Sequence, residues 1–328
     1  MTVLELDNVT KTYSRGLLAK KHRVLDGLSL RIESGEVFGL LGHNGAGKTT
    51  TMRLILGLLR PDSGKVRLFE EDGAGRKALS RIGFLGEETG LYPFLNAGEM
   101  LELVGELFRL APGVIRTRKE HLLAVVGLEA KAKARVKTYS KGMRQRLGIA
   151  VALMNDPDFL ILDEPYTGLD PVGRRQFRQL LLSLKEQGKT ILMSSHIVPD
   201  VEAVCDRVGI LSDGKIQRCL ALGDIYKHKS TPVEVTVSGL DPRTFDRLDK
   251  GIELVYGNPE AVVLRCEGGG VVKQLISKVY AFGGDVVEIK PLKFNLEDYL
   301  IETLTEVSQK GSKKLATDIE EMIYADTR

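Results

Sequence analysis

The sequence predicts an α/β fold. A mainly parallel core sheet is flanked by helices, with N-terminal antiparallel strands, a helical insertion and a small α+β domain behind it. Three observations predict this. The apolar run Val37-Phe38-Gly39-Leu40-Leu41 leads directly into Gly42-His43-Asn44-Gly45-Ala46-Gly47-Lys48-Thr49, which fits the pattern G-x-x-x-x-G-K-[ST] between a strand and a helix. The run Phe159-Leu160-Ile161-Leu162 is fully apolar, as strands buried in parallel sheets are, and it ends in Asp163-Glu164. Strand and helix patterns alternate around both motifs, the arrangement of a sheet whose crossovers are helices.

The elements follow in order. Val3 to Val9 alternates apolar and polar residues and reads as a half-exposed strand. Lys11-Thr12-Tyr13 follows, then a basic loop through Lys20-Lys21-His22-Arg23. Val24 to Ile32 reads as a second strand entering the turn Glu33-Ser34-Gly35-Glu36, and Val37 to Leu41 as the strand before the glycine-rich loop. A helix starts near Lys48 and continues through Leu56; Pro61-Asp62-Ser63-Gly64 is a turn and Lys65 to Phe69 a short strand. Residues from about 92 to 150 are largely helical, for example Ala97 to Leu110, His121 to Val126 and Leu147 to Met154. Helix Arg174 to Glu186 and strand Thr190 to Met193 complete the first part.

Composition shifts near residue 229. Val233 to Val237 alternates as an exposed strand would, and Ala261 to Cys266 and Asp285 to Ile289 share that character around a helix from Val271 to Tyr280. The predicted organisation is one domain over 1–228 with a helical part at about 88–150, an accessory α+β domain over 229–306, and a tail over 307–328 that begins as a solvated linker. No internal repeat is visible.

Bulk properties narrow the function. At 328 residues the chain has room for about two domains. A net charge of +3 is too small to imply general nucleic-acid affinity. Cys205, Cys219 and Cys266 are scattered without C-x-x-C spacing, which argues for a reducing cytosol and against a disulfide framework or zinc site. The N-terminal MTVLELDNVT carries no apolar signal core. No apolar run approaches the roughly 18 residues that span a bilayer, so a membrane role is expected only through a partner chain.

The chemistry sits in two places. In the loop, glycines let the backbone curl so that several N–H groups converge on one anion. The helix behind it adds the positive end of its dipole. Gly42, His43, Asn44, Gly45, Ala46, Gly47, Lys48, Thr49 and Thr50 are therefore candidate phosphate ligands, with Lys48 reaching the β- and γ-phosphates and the Thr49 hydroxyl on Mg²⁺. In Asp163-Glu164, two carboxylates stand at the C-terminal end of a buried strand, where ligands sit in open α/β sheets. Asp163 is the candidate for holding Mg²⁺ through water, and Glu164 for polarising the attacking water.

These motifs together make residues 1 to about 225 resemble an ATP-binding cassette (ABC) ATPase, a P-loop NTPase. Tyr139-Ser140-Lys141-Gly142-Met143-Arg144-Gln145-Arg146 resembles the family signature Leu-Ser-Gly-Gly-Gln. The resemblance implies that Ser140, Lys141, Gly142 and Met143 grip the γ-phosphate held by another subunit. The active form would then be a homodimer with ATP sandwiched at two composite sites. The same Ser140 also fits a plain helix N-cap. By the same resemblance Asp170 of Thr167-Gly168-Leu169-Asp170 couples the two sites, His196 of Ser194-Ser195-His196 is the switch histidine, and Tyr13 stacks on adenine. Glu87 stands where the family usually has the Gln that ligates Mg²⁺, and Lys141 and Met143 depart from the usual Gly and Gln.

The segment Gly83 to Pro93, with an extra C-terminal domain ending Asn295-Leu296-Glu297-Asp298-Tyr299-Leu300, resembles bacterial exporter-type cassettes whose permease is encoded separately. This implies an ATP-hydrolysing subunit at the cytoplasmic face of the membrane that powers export through an integral membrane permease, with no nucleic-acid partner. The alternatives are a mechanotransmitting cassette or a soluble repair or translation type. Leu91-Tyr92-Pro93-Phe94 is either core or the place that receives the permease. The accessory domain is regulatory, ligand-binding or, on the plainer reading, a packing and dimer-stabilising element.

Overall fold

The computed structural model describes residues 1–14, 22–225, 232–245, 250–258, 260–267 and 269–291, together with Leu296, Leu300 and Thr317. Lys20 and Lys21 of the basic loop, the composition shift at 229, most of Asn295 to Leu300, and the tail apart from Thr317 lie outside the described residues. The chain forms two compact units, one built on Met1–Ala221 and the other within Leu222–Glu302.

The first unit opens with β1 (Thr2–Tyr13), β2 (His22–Glu33), β3 (Val37–Leu41), α1 (Lys48–Ile55), β4 (Ser63–Leu68) and β5 (Glu71–Asp72). Then come α2 (Arg76–Leu79), β6 (Ile82–Leu85), α3 (Ala97–Leu107), α4 (Pro112–Val125) and α5 (Lys141–Ala152). It closes with β7 (Phe159–Leu162), α6 (Pro171–Glu186), β8 (Thr190–Ser195), α7 (Val198–Glu202), β9 (Arg207–Ser212) and β10 (Lys215–Ala221).

Two sheets result. One is antiparallel, in the order β2-β1-β4-β5. The other has the order β10-β9-β3-β8-β7-β6 and is parallel except for the β9–β10 pair. Every residue of β3, β7 and β8 is buried, which is why these runs are continuous and apolar where β1 alternates. Leu4, Leu28 and Ile32 of the antiparallel sheet share a core with Phe38 and Leu40 of β3 and with Met52 and Ile55 of α1. Burying each such side chain contributes about 1.5–3 kcal/mol, so α1 is clamped between the two sheets. The parallel register aligns Leu85 with Leu162, Leu162 with Met193, and Leu41 with Ser195. The C-terminal ends of β6, β7, β8 and β3 therefore meet at one edge.

Helix limits differ from the sequence reading for local reasons. α4 begins at Pro112, well before His121, because a proline in the first turn lacks only an N–H that would have had no helical partner. α3 stops at Leu107, short of Leu110, and Arg109 behind it takes a left-handed φ of 56°. The start of α3 is a reciprocal cap: Asn96 Oδ1 accepts from the Glu99 N–H at 2.9 Å, and Glu99 Oε2 accepts from the Asn96 N–H at 2.8 Å.

The second unit contains α8 (Leu222–Ile225), β11 (Val233–Ser238), β12 (Ile252–Gly257), β13 (Val262–Cys266), α9 (Gly269–Ala281) and β14 (Asp285–Pro291). Its sheet is antiparallel in the order β12-β13-β11-β14. Val235, Val237 and Leu264 pack with Leu275 and Val279 of α9 in a separate core. β11 is thus a central strand with one buried face, not the exposed strand that its alternation suggests. Alternation reports a half-buried strand and is silent on its place in the sheet.

Candidate functional site

The glycine-rich loop joins β3 to α1, and its shape is set by close contacts. Gly47, the N-cap of α1, has φ 111°, and a β-carbon there would lie 2.8 Å from Leu25 Cδ2. Only glycine fits both the backbone and the space. The Ala46 N–H donates to the His43 carbonyl at 3.2 Å, and the Gly42 N–H to the Ser195 carbonyl at 3.2 Å. The loop is thereby tied to the end of β8.

Lys48, at the first position of α1, is buried, and its ammonium folds back over the loop. Nζ donates to the Gly42 carbonyl at 2.6 Å and to the His43 carbonyl at 3.3 Å, and stands 3.1 Å from Glu164 Oε1. Next to it, Thr49 Oγ1 donates to Asp163 Oδ2 at 2.7 Å. Asp163 is itself buried, and its other oxygen accepts from Ser194 Oγ at 2.6 Å. Glu164 takes a left-handed φ of 48°. Its Oε2 meets His196 Nδ1 at 2.9 Å. Its Oε1 is buried and charge-paired with Lys48, but receives no hydrogen bond in a favourable direction.

The electrostatics follow from these contacts. Burial pushes the Glu164 carboxyl up, but the hydrogen bond from His196 and the charge of Lys48 outweigh it and hold the group below its ordinary value. The same hydrogen bond raises the His196 imidazole above its ordinary value, against the opposing effects of burial and of Lys48. Glu164 is an ionised base held between two cationic or cation-capable groups.

A cleft of about 540 Å³ opens here. Asn44, Gly45, Gly47, Lys48, Thr49, Thr50, Glu87, Glu164 and His196 line it, together with Val24 and Thr167. The last two were not singled out in the sequence, and only their proximity in the fold marks them. Asp163 lies behind the wall, and Gly42, His43 and Ala46 form the base of the loop. Tyr13, at the end of β1 and 37% exposed, is not among the lining residues.

Nor are Ser140, Lys141, Gly142, Met143 and Asp170, which form a second cluster. Ser140 Oγ accepts from the Met143 N–H at 3.2 Å and caps α5. Asp170 Oδ1 accepts from the Gly173 N–H at 2.8 Å and caps α6. The methylenes of Lys141 lie over Gly168, whose φ is 78° and whose β-carbon, if present, would meet them at 2.7 Å. The signature segment and the loop before Asp170 are therefore packed as one piece.

The donors at the cleft suit a hard cation. A hydroxyl from Thr49 and carboxylates from Asp163 and Glu87 are oxygen ligands, with Glu164 beside them paired to Lys48. Among the described residues no cluster of three or more His, Cys, Asp or Glu would cage a metal by itself. Mg²⁺ is typically held by one or two carboxylates plus substrate phosphates, which is what this set offers.

A family model described as "ABC transporter" matches residues 25–167. An uncharacterized ABC transporter ATP-binding protein of Synechocystis sp. is 37% identical across 93% of this chain and 85% of its own length. The chain belongs to the ABC transporter family. This ABC cassette is 33% identical to the bacitracin transport ATP-binding protein BcrA of Bacillus licheniformis, over 92% of this chain and 97% of that one. It is 37% identical to the linearmycin resistance ATP-binding protein LnrL of Bacillus subtilis, over 73% of this chain and 76% of the relative. Among solved structures, the dimeric post-hydrolysis state of the ATP-binding cassette MJ0796 bound to ADP and Pi matches with TM-score 0.62 and 30% identity. That match covers 67% of this chain and 98% of the other. The P-loop cassette fold and the ATPase activity of the family are those of this chain.

Proposed function

We propose that this cassette is the ATP-hydrolysing subunit of an exporter, working as a homodimer on a separately encoded membrane permease. The observation that carries the hydrolytic part of this reading is the Glu164 carboxylate held between Lys48 and His196 in the cleft beside the glycine-rich loop. Glu164 polarises the attacking water, His196 holds that carboxylate and faces the γ-phosphate, and Lys48 reaches the β- and γ-phosphates. Thr49, Asp163 and Glu87 would hold Mg²⁺, and the ion would supply charge neutralisation at the phosphates. Tyr13 stacks on adenine. Catalysis is mainly positioning and charge stabilisation.

Each triphosphate joins the loop of one copy to Ser140, Lys141, Gly142 and Met143 of the other, so ATP closes the dimer and loss of the γ-phosphate reopens it. Asp170 links the two sites. The names of the bacitracin and linearmycin relatives support export. No helix among the described residues is long and apolar enough to cross a membrane; in this reading the permease provides the membrane path and the cassette docks on its cytoplasmic face. Tyr92 and Phe94, left open between core and docking site by the sequence, are 50% and 65% exposed and stacked at 6.2 Å. They are proposed as the docking spot. The division into 1–228, 229–306 and 307–328 is kept as the working organisation, with the middle part stabilising the dimer.

The test is a detergent pull-down from the native cell with tagged Glu164→Gln in ATP and Mg²⁺. A stoichiometric multi-spanning protein is the expected companion. A soluble or nucleic-acid partner alone would leave only the ATPase standing.

A further inference from the structure

We propose that Ser194 is a positioning residue that sets both carboxylates at the end of β7; this rests on the roles given above to Asp163 and Glu164. Ser194 is fully buried in β8. The β7–β8 ladder runs to Leu162 opposite Met193, so the next residues along, Asp163 and Ser194, stand side by side. Ser194 Oγ donates to Asp163 Oδ1 at 2.6 Å and accepts from the Glu164 backbone N–H at 2.9 Å. Only a group with both a proton to give and a lone pair to offer can do both. Its neighbour Ser195 is engaged elsewhere, with its Oγ accepting from the Ile197 N–H at 2.9 Å.

The two bonds act on different things. The first, with Thr49 on the opposite oxygen, holds Asp163 at both carboxylate oxygens. The second holds the peptide of Glu164 in its left-handed turn, a conformation that a non-glycine residue keeps only when its surroundings enforce it. The Glu164 side chain leaves that turn towards Lys48 and His196. One hydroxyl thus couples the orientation of the metal-side carboxylate to that of the water-side carboxylate. Alanine at this position would leave Asp163 Oδ1 and the Glu164 N–H without their partner, and the turn free to relax.

The experiment uses the full chain as wild type, Ser194→Ala, Ser194→Thr and Glu164→Gln. The first readout needs no nucleotide: amide hydrogen exchange resolved at Glu164. Ser194→Ala is expected to speed that exchange about tenfold or more while Leu160 and Ile161 in β7 keep their protection. The second readout is steady-state ATP hydrolysis. Ser194→Ala is expected to lower kcat by about 10- to 100-fold, the usual cost of losing an orienting partner, with the KM for ATP within about twofold. Ser194→Thr, which keeps the hydroxyl, is expected to recover most of both. Unchanged exchange and kcat in Ser194→Ala would overturn the proposal. So would a general rise in exchange across β7 and β8 without rescue by threonine, which marks a merely structural role. If Glu164→Gln loses turnover and Ser194→Ala does not, the proposal alone fails. If Glu164→Gln turns over normally, the reading of Glu164 falls and the proposal falls with it.

Discussion

Lys48 Nζ stands 3.1 Å from Glu164 Oε1, and the two side chains are only 6% and 13% exposed. The lysine proposed to hold the phosphates is thus also charge-paired with the proposed base. Lys48→Ala removes both functions. It is expected to lower kcat/KM for ATP by about a hundredfold or more, the scale seen when one charge-stabilising group is lost. Steady-state hydrolysis measures it, and a loss under about tenfold would separate Lys48 from the phosphates.

The Glu164–His196 pair makes a pH prediction with a definite sign. His196 is raised in the fold, so its stabilisation is complete below the unfolded imidazole value and fades as pH rises through the folded value. Glu164 is lowered, so its stabilisation is complete above the unfolded carboxyl value and fades as pH falls through the folded one. Both are fully present between about pH 4.3 and 6.5. The Tm difference between wild type and His196→Ala is expected to be largest in that window and to shrink towards alkaline pH. A difference that grows from pH 6 to 9 would contradict the pairing.

Ser140 caps α5 in this chain and is proposed to meet the partner's triphosphate. The two roles separate in Ser140→Ala. Loss of the cap costs about 1 kcal/mol, visible as a modest fall in Tm without nucleotide. Loss of the phosphate contact should abolish ATP-induced dimerisation in gel filtration of a Glu164→Gln background. A lower Tm with intact dimerisation would leave Ser140 as a cap only.

Glu87 lines the cleft, at the position where the family resemblance leads one to expect glutamine. Removing its charge in Glu87→Gln is expected to raise the Mg²⁺ concentration for half-maximal hydrolysis by several-fold, on the order of 1 kcal/mol for one ligand charge. An unchanged Mg²⁺ titration would take Glu87 out of the site.

Much of the site was legible because its constraints are local. Glycines at fixed spacing before Lys48, and two acids closing an apolar strand, announce themselves without knowledge of the fold. Ser194 did not, although it was read as part of the motif before His196. Its two hydrogen bonds exist only because β7 and β8 are neighbours in register, which the sequence does not spell out. Val24 reaches the cleft from β2 of the other sheet and Thr167 from the loop after β7, placements that only the fold brings together. β9 and β10 went unnamed because no motif marks them. β12 went unnamed because its side chains are mostly exposed and leave no alternating pattern. The helical part was recognised, while its limits depended on Pro112 and Arg109.

The core around Phe38 and Met52 and the core around Val235 and Leu264 share no residue. A cavity opened at Met52 therefore loosens the packing beneath the nucleotide loop, and one opened at Leu264 loosens the sheet-and-helix packing of the second unit.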